Sequence, residues 1–88
     1  MRMLSVVYTP HFIQQVKTLE SSLQEEIVEK IELFKNLKNY KRLKVHKLKG
    51  RLSGRYSFSV NYKIRIVFSY LSKNKAVLLA IGDHDIYK

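Results

Sequence analysis

Two short stretches and two arginines hold most of the side chains in this chain that could do chemistry. One stretch is His46-Lys47-Leu48-Lys49-Gly50 and the other is Gly82-Asp83-His84-Asp85-Ile86-Tyr87, with Arg55 and Arg65 between them. A histidine exchanges protons near neutral pH. A guanidinium grips phosphate oxygens two at a time through its planar fork. Other chemistries lack their parts. With no cysteine there is no disulfide framework and no thiolate metal site. The chain has no Gly-rich phosphate loop, no histidine pair at metal-ligand spacing and no Ser-His-Asp order. Asp83 and Asp85 flank His84, but two acids beside one histidine make a weak ligand set among repelling cations. No metal and no cofactor are expected.

Each candidate also has a plainer reading. A lone histidine such as His84 is more often a surface or turn residue. His46 sits among lysines and could belong only to an electrostatic patch. Arg65 could complete a cross-strand pair, although no acid lies near it in sequence. Tyr87 could be a terminal packing residue. Tyr56, Phe58, Tyr62, Phe68 and Tyr70 resemble a stacking platform, but at strand spacing most should belong to the core.

Charge narrows the choice of partner. The net charge is +10, and five of the seven acids fall between Glu20 and Glu32. From Leu33 to Gly82 there is no acid, while thirteen lysines and arginines occupy that stretch. A surface tuned only for solubility intersperses both signs. One-sided charge of this kind rewards a polyanion through counterion release, and RNA is the favoured one; a dock for an acidic protein is the bland alternative.

These residues need a scaffold, and 88 residues allow one domain, residues 1–88. Residues 3–8 read as a strand. Thr9 and Pro10 then open a helix as N-cap and first helical residue, with Phe12, Ile13, Val16 and Leu19 on one face. Ser22 and Glu25 have capping-box spacing and place the start of a second helix. Its buried stripe is Leu23, Ile27, Ile31 and Phe34, and Glu26 and Lys30 are spaced for an exposed ion pair. Residues 36–54 read as an ordered basic loop anchored by Leu37, Leu43, Val45, Leu48 and Leu52, with an extended piece near residues 43–48. Gly50 and Gly54 permit sharp turns there. Three strands follow at residues 55–60, 63–71 and 76–81, the last apolar on both faces and therefore central. The helices should cover one sheet face, leaving the other, with Arg55, Arg65 and the serines, open to a ligand. The run at 76–81 is too short to cross a bilayer, and residues 1–5 lack the features of a signal peptide. Together with the missing cysteines this fits the cytoplasm and no membrane association.

Strand, helical hairpin, His46-Lys47-Leu48-Lys49-Gly50, Gly54-Arg55-Tyr56-Ser57, Tyr62-Lys63-Ile64-Arg65-Ile66-Val67-Phe68 and Ile81-Gly82-Asp83-His84-Asp85-Ile86-Tyr87 follow one another over almost the whole chain. In that order the motifs resemble the RelE/ParE family of toxins from type II toxin–antitoxin systems. The resemblance implies an α+β fold: a two-helix hairpin on one face of a mostly antiparallel four-stranded sheet, in the order β-α-α-β-β-β. It implies a cognate acidic antitoxin as partner, and leaves operator DNA as a further ligand of the toxin–antitoxin complex. For the RelE-like branch it implies a metal-independent endoribonuclease that cuts mRNA on the ribosome through attack of a 2′-hydroxyl on the adjacent phosphate. Under that reading His84 transfers a proton and Arg55 and Arg65 clamp the phosphate. Tyr87 stacks or orients, and His46 holds the backbone or shares the acid–base work. Lys44, Lys47, Lys49, Arg51 and Lys63 bind RNA. The chain departs from the pattern in two places: serines stand at 57 and 59 where some relatives have a histidine or acid nearby, and Tyr87 follows His84 by three residues where many relatives have four. A ParE-like inhibitor of DNA gyrase that cuts nothing, or a non-catalytic RNA-binding module, are the alternatives on the same fold.

Overall fold

A computed structural model describes residues 3–83 of the chain. The first strand forms at Ser5–Tyr8 (β1) and the first helix at Pro10–Lys17 (α1). As the sequence predicts, Thr9 caps α1: its hydroxyl accepts from the Phe12 N–H at 3.1 Å and donates to the Leu78 carbonyl at 2.9 Å. One side chain thus starts a helix and docks it on a strand. The second helix spans Ser21–Phe34 (α2), with Glu20 as N-cap. The expected capping box is absent because Ser22 already lies inside the first turn, where its hydroxyl donates to the Glu20 carboxylate at 3.2 Å. Nor do Glu26 and Lys30 pair. Asn61 captures Glu26 at 2.9 Å, and Lys30 sits 4.0 Å from Glu29.

Four more strands complete the described fold: His46–Lys47 (β2), Tyr56–Ser59 (β3), Arg65–Ser72 (β4) and Lys75–Gly82 (β5). The sheet has five strands rather than four, in the order β1-β5-β4-β3-β2. The additional strand is β2, the extended piece expected inside the basic loop, which pairs antiparallel with β3 (His46 opposite Ser57, Lys47 opposite Tyr56). β5 is flanked by β1 in parallel and β4 antiparallel, so it is internal as its apolar run requires.

Both helices lie on one face. Phe12, Ile27, Ile31 and Phe34 pack with Phe58, Ile66, Phe68, Leu78 and Ile81 in a single core. Phe34 stacks on Phe58 with ring centres 4.2 Å apart and meets the edge of Phe68 at 4.7 Å. Leu78 and Ile81 are three residues apart, so simple alternation would send them to opposite faces. A bulge leaves Leu79 without a register partner between Phe68↔Leu78 and Val67↔Ala80, and both residues reach the core. Ile13, expected on the buried face of α1, is 41% exposed; it borders an open apolar groove between the helices with Val16, Ile27 and Val28.

Candidate functional site

The basic loop is held to the core by aromatic side chains. Tyr40 stacks on Phe34 at 5.8 Å, and its hydroxyl meets that of Tyr70 at 2.9 Å. Burial, and then the Tyr70 hydrogen bond, push the Tyr40 phenol above its ordinary range. Leu43 and Leu48 are buried anchors, while Leu37, Val45 and Leu52 are half-buried. Gly50 and Gly54 turn the chain with φ of +70° and +89°. Lys44 adopts the same left-handed region at +56° without being glycine, a conformation costing about 1–3 kcal/mol.

That turn at Lys44 positions His46. The Lys44 carbonyl lies 3.0 Å from His46 Nδ1. A carbonyl can only accept, so Nδ1 carries the proton in the neutral ring and Nε2 is left as the acceptor. Nε2 faces the Ser57 hydroxyl at 3.5 Å, the long end of hydrogen bonding. His46 is exposed as a residue, and its acceptor nitrogen is turned toward β3.

Arg65 approaches β3 from the other side. It is the register partner of Ser59 and of Gly82. Its Nη1 donates to the Ser59 hydroxyl at 2.9 Å. Its Nε is buried with no hydrogen-bond partner among the described residues, a deficit of about 1–3 kcal/mol for a polar group. No acid pairs with Arg65 among the described residues. Ser57 and Ser59 point to the same face, about 7 Å apart along the strand. His46 and Arg65 thus reach one face of β3 from its two neighbouring strands, His46 at Ser57 and Arg65 at Ser59.

Arg55 stands elsewhere. It immediately precedes β3, at the end away from Ser59, about 13 Å from that residue by strand rise. Arg55 and Arg65 are therefore not brought to one point. Lys47 lies on β2, and Lys49 and Arg51 at the 3₁₀ turn Gly50–Leu52; all three are exposed, and Lys47, paired with Tyr56, leaves the strand on the face opposite His46. Lys63 falls in the turn before β4, not on the strand, and borders the acidic side of α2 with Glu25, Glu26 and Glu29. His84 and Tyr87 lie outside the described residues. Among the described residues no group of three or more His, Cys, Asp or Glu is gathered as for a metal, and no helix is long and apolar enough to cross a membrane.

The second sheet face is not open throughout, as the alternation of residues had suggested. Ser57 is 0% and Val67 4% exposed, and the buried Leu48 lies beside them outside the main core. The accessible chemistry sits at the rim, where His46 and Arg65 meet β3. Ser57 and Ser59 gain their roles through cross-strand register, which no spacing in the sequence reports.

No protein-family model matches the chain, and no curated protein matches it. Solved structures do. A chain of the toxin–antitoxin complex RelBE2 from Mycobacterium tuberculosis superposes with a TM-score of 0.73 at 16% identity, over 93% of this chain and 99% of that one. The archaeal RelE–RelB complex from Pyrococcus horikoshii gives 0.72 at 14%, over 92% and 94%. The YoeB–YefM complex from Staphylococcus aureus gives 0.62 at 23%, over 92% and 97%. At these identities the likeness is one of fold, and this chain has the RelE-like fold over nearly its full length.

Proposed function

We propose that this protein is the toxin of a type II toxin–antitoxin pair and acts as an endoribonuclease on mRNA, on the ribosome. The observation that carries the reading is the convergence of His46 Nε2 and the Arg65 guanidinium over Ser57 and Ser59. The likeness in fold to chains of RelE–RelB and YoeB–YefM complexes supports it, as does the acid-free cationic stretch from Leu33 to Gly82.

The chemistry uses the chain's own groups. His46 Nε2 takes the proton of a ribose 2′-hydroxyl as that oxygen attacks the adjacent phosphorus. Arg65 neutralises the charge gathering on the phosphoryl oxygens. The P–O5′ bond breaks, leaving a 2′,3′-cyclic phosphate and a 5′-hydroxyl. His84, assigned from the sequence resemblance, protonates the departing O5′, and Tyr87 orients the neighbouring nucleotide. Arg55, Lys44, Lys47, Lys49 and Arg51 hold phosphates away from the reacting one, and Lys63 marks the limit of the RNA surface.

The partner in this reading is an acidic antitoxin. The exposed apolar groove of about 320 Å³ between α1 and α2, with Val28 59% exposed at its rim, supports a protein partner. Operator DNA is a further ligand of that complex, and the compartment is the cytoplasm.

The test is induced expression of the chain alone, with transcript ends mapped by reverse transcription. Growth should stop, new mRNA ends should appear within translated regions, and co-expression of the neighbouring acidic protein should abolish both. Intact transcripts together with halted gyrase supercoiling would replace the reading with gyrase inhibition. Intact transcripts and unaffected growth, with RNA still bound, would leave a binding module.

A further inference from the structure

We infer that the hollow beyond the end of β3 is a nucleotide subsite, which holds the phosphate and base of an RNA nucleotide next to the reacting one. The inference rests on the RNA reading above and adds residues that reading does not use. The hollow has a volume of about 270 Å³, and Lys30, Arg42, Lys44, Ser59, Asn61 and Tyr62 line it. That volume is at the small end for ligand sites and suits one nucleotide better than a longer segment. It adjoins the reacting centre directly, because Ser59 both lines it and accepts the hydrogen bond from Arg65 Nη1.

Two features make it a site for a nucleotide. The first is charge: Lys30 comes from α2 and Arg42 and Lys44 from the basic loop, so three cations from two elements face one space. Arg42 and Lys44 have no ion pair among the described residues. The second is Tyr62, which is 90% exposed although its backbone is firmly held. Asn61 Oδ1 accepts from the Lys63 and Ile64 N–H groups, each at 2.8 Å, and Asn61 Nδ2 donates to Glu26 at 2.9 Å. An aromatic ring in water on a fixed turn is a ready stacking surface for an unpaired base.

The surroundings also set a direction. On its other side Tyr62 borders a second hollow lined by Glu20, Glu25, Glu26 and Glu29, with Lys63 at its edge. Those carboxylates repel a phosphate, so the backbone must leave past Arg42 and Lys44 with the base over the Tyr62 ring. A single exposed aromatic residue is ordinary on a protein surface; what distinguishes Tyr62 is its place on the boundary between three cations and four carboxylates, three positions before Arg65.

The test uses a fluorescent single-stranded RNA octamer with 2′-O-methyl groups throughout, which cannot be cut, at low salt. Tyr62→Ala should weaken its binding about tenfold, the loss of one base–aromatic stack, while Tyr62→Phe binds as wild type. An abasic nucleotide at one position of the octamer should weaken wild type by the same factor and leave Tyr62→Ala unchanged. Arg42→Ala should weaken binding and lower the salt dependence by about one phosphate contact. Equal affinity of wild type and Tyr62→Ala, or equal sensitivity of both to every abasic position, overturns the subsite. So does an octamer that wild type does not bind at all. Transcript mapping with Tyr62→Ala separates the two levels: mRNA cleavage that persists while the subsite fails leaves the nuclease reading intact.

Discussion

At the scale of single residues, the site depends on which groups the sheet register brings together. His46 and Arg65 are far apart in sequence and both reach β3 across its hydrogen-bonded edges. Their expected effects differ. His46→Ala should slow single-turnover cleavage by about a hundred- to ten-thousand-fold with RNA affinity unchanged, because it moves a proton only in the transition state. Arg65→Ala should lower both affinity and rate, since it holds the phosphate throughout. Equal losses in rate and affinity for His46→Ala would reduce that residue to one more cation-side contact. The histidines and arginines stood out in the sequence by type. Their grouping did not: Arg55 and Arg65 look like a pair in sequence, yet a whole strand separates them, and Ser57 and Ser59 look like departures from a pattern until register sets them beside His46 and Arg65. The left-handed turn at Lys44 that fixes the His46 tautomer gives no signal either, because lysine is not a residue one expects there.

At the scale of elements, the helices were legible because burial imposes their period. Leu23, Ile27, Ile31 and Phe34 fall where a 3.6-residue repeat requires, and Ile31→Ala should cost about 2–4 kcal/mol through the cavity it leaves. Calorimetric melting would register this as a clearly lower Tm, and an unchanged Tm would contradict the packing. The exact start of α2 was less legible, since Ser22 and Glu25 satisfy a capping pattern two residues too late. Gln15 was not legible at all. Its side-chain amide donates to the Ile81 carbonyl at 3.0 Å and accepts from the Ile81 N–H at 2.8 Å. The described pairing of β1 with β5 runs only to Tyr8 and Leu78, so Gln15 stands in for a neighbouring strand. Gln15→Ala leaves two backbone groups without their partners and should cost about 1–3 kcal/mol, or about 4–8 °C in Tm per kcal/mol for a domain of this size. The Ile81 amide should then exchange with solvent markedly faster; unchanged exchange would show that something else holds it.

At the scale of the molecule, the chain is electrically two-sided. Five of the seven acids gather on and just before α2, and thirteen cations follow with no acid among them from Leu33 to Gly82. This was the feature most plainly written in the sequence, since charge needs no fold to be counted. The fold adds that Lys47 and Lys49 are exposed. Replacing both with alanine should make RNA binding less steeply dependent on salt, by about two phosphate contacts, with the melting temperature preserved. An unchanged slope would move the RNA surface elsewhere. The proposed activity, however, is chemical: a 2′-hydroxyl attacks while His46 removes its proton and Arg65 steadies the phosphate. The most direct measurement is the identity of the new RNA ends, by mass spectrometry of ribosome-bound mRNA cut by the wild-type protein. The upstream fragment should carry a 2′,3′-cyclic phosphate and the downstream one a 5′-hydroxyl, with no cut where the ribose at the cleaved position is 2′-deoxy. A 3′-hydroxyl facing a 5′-phosphate, or undiminished cutting at the 2′-deoxy position, would contradict it.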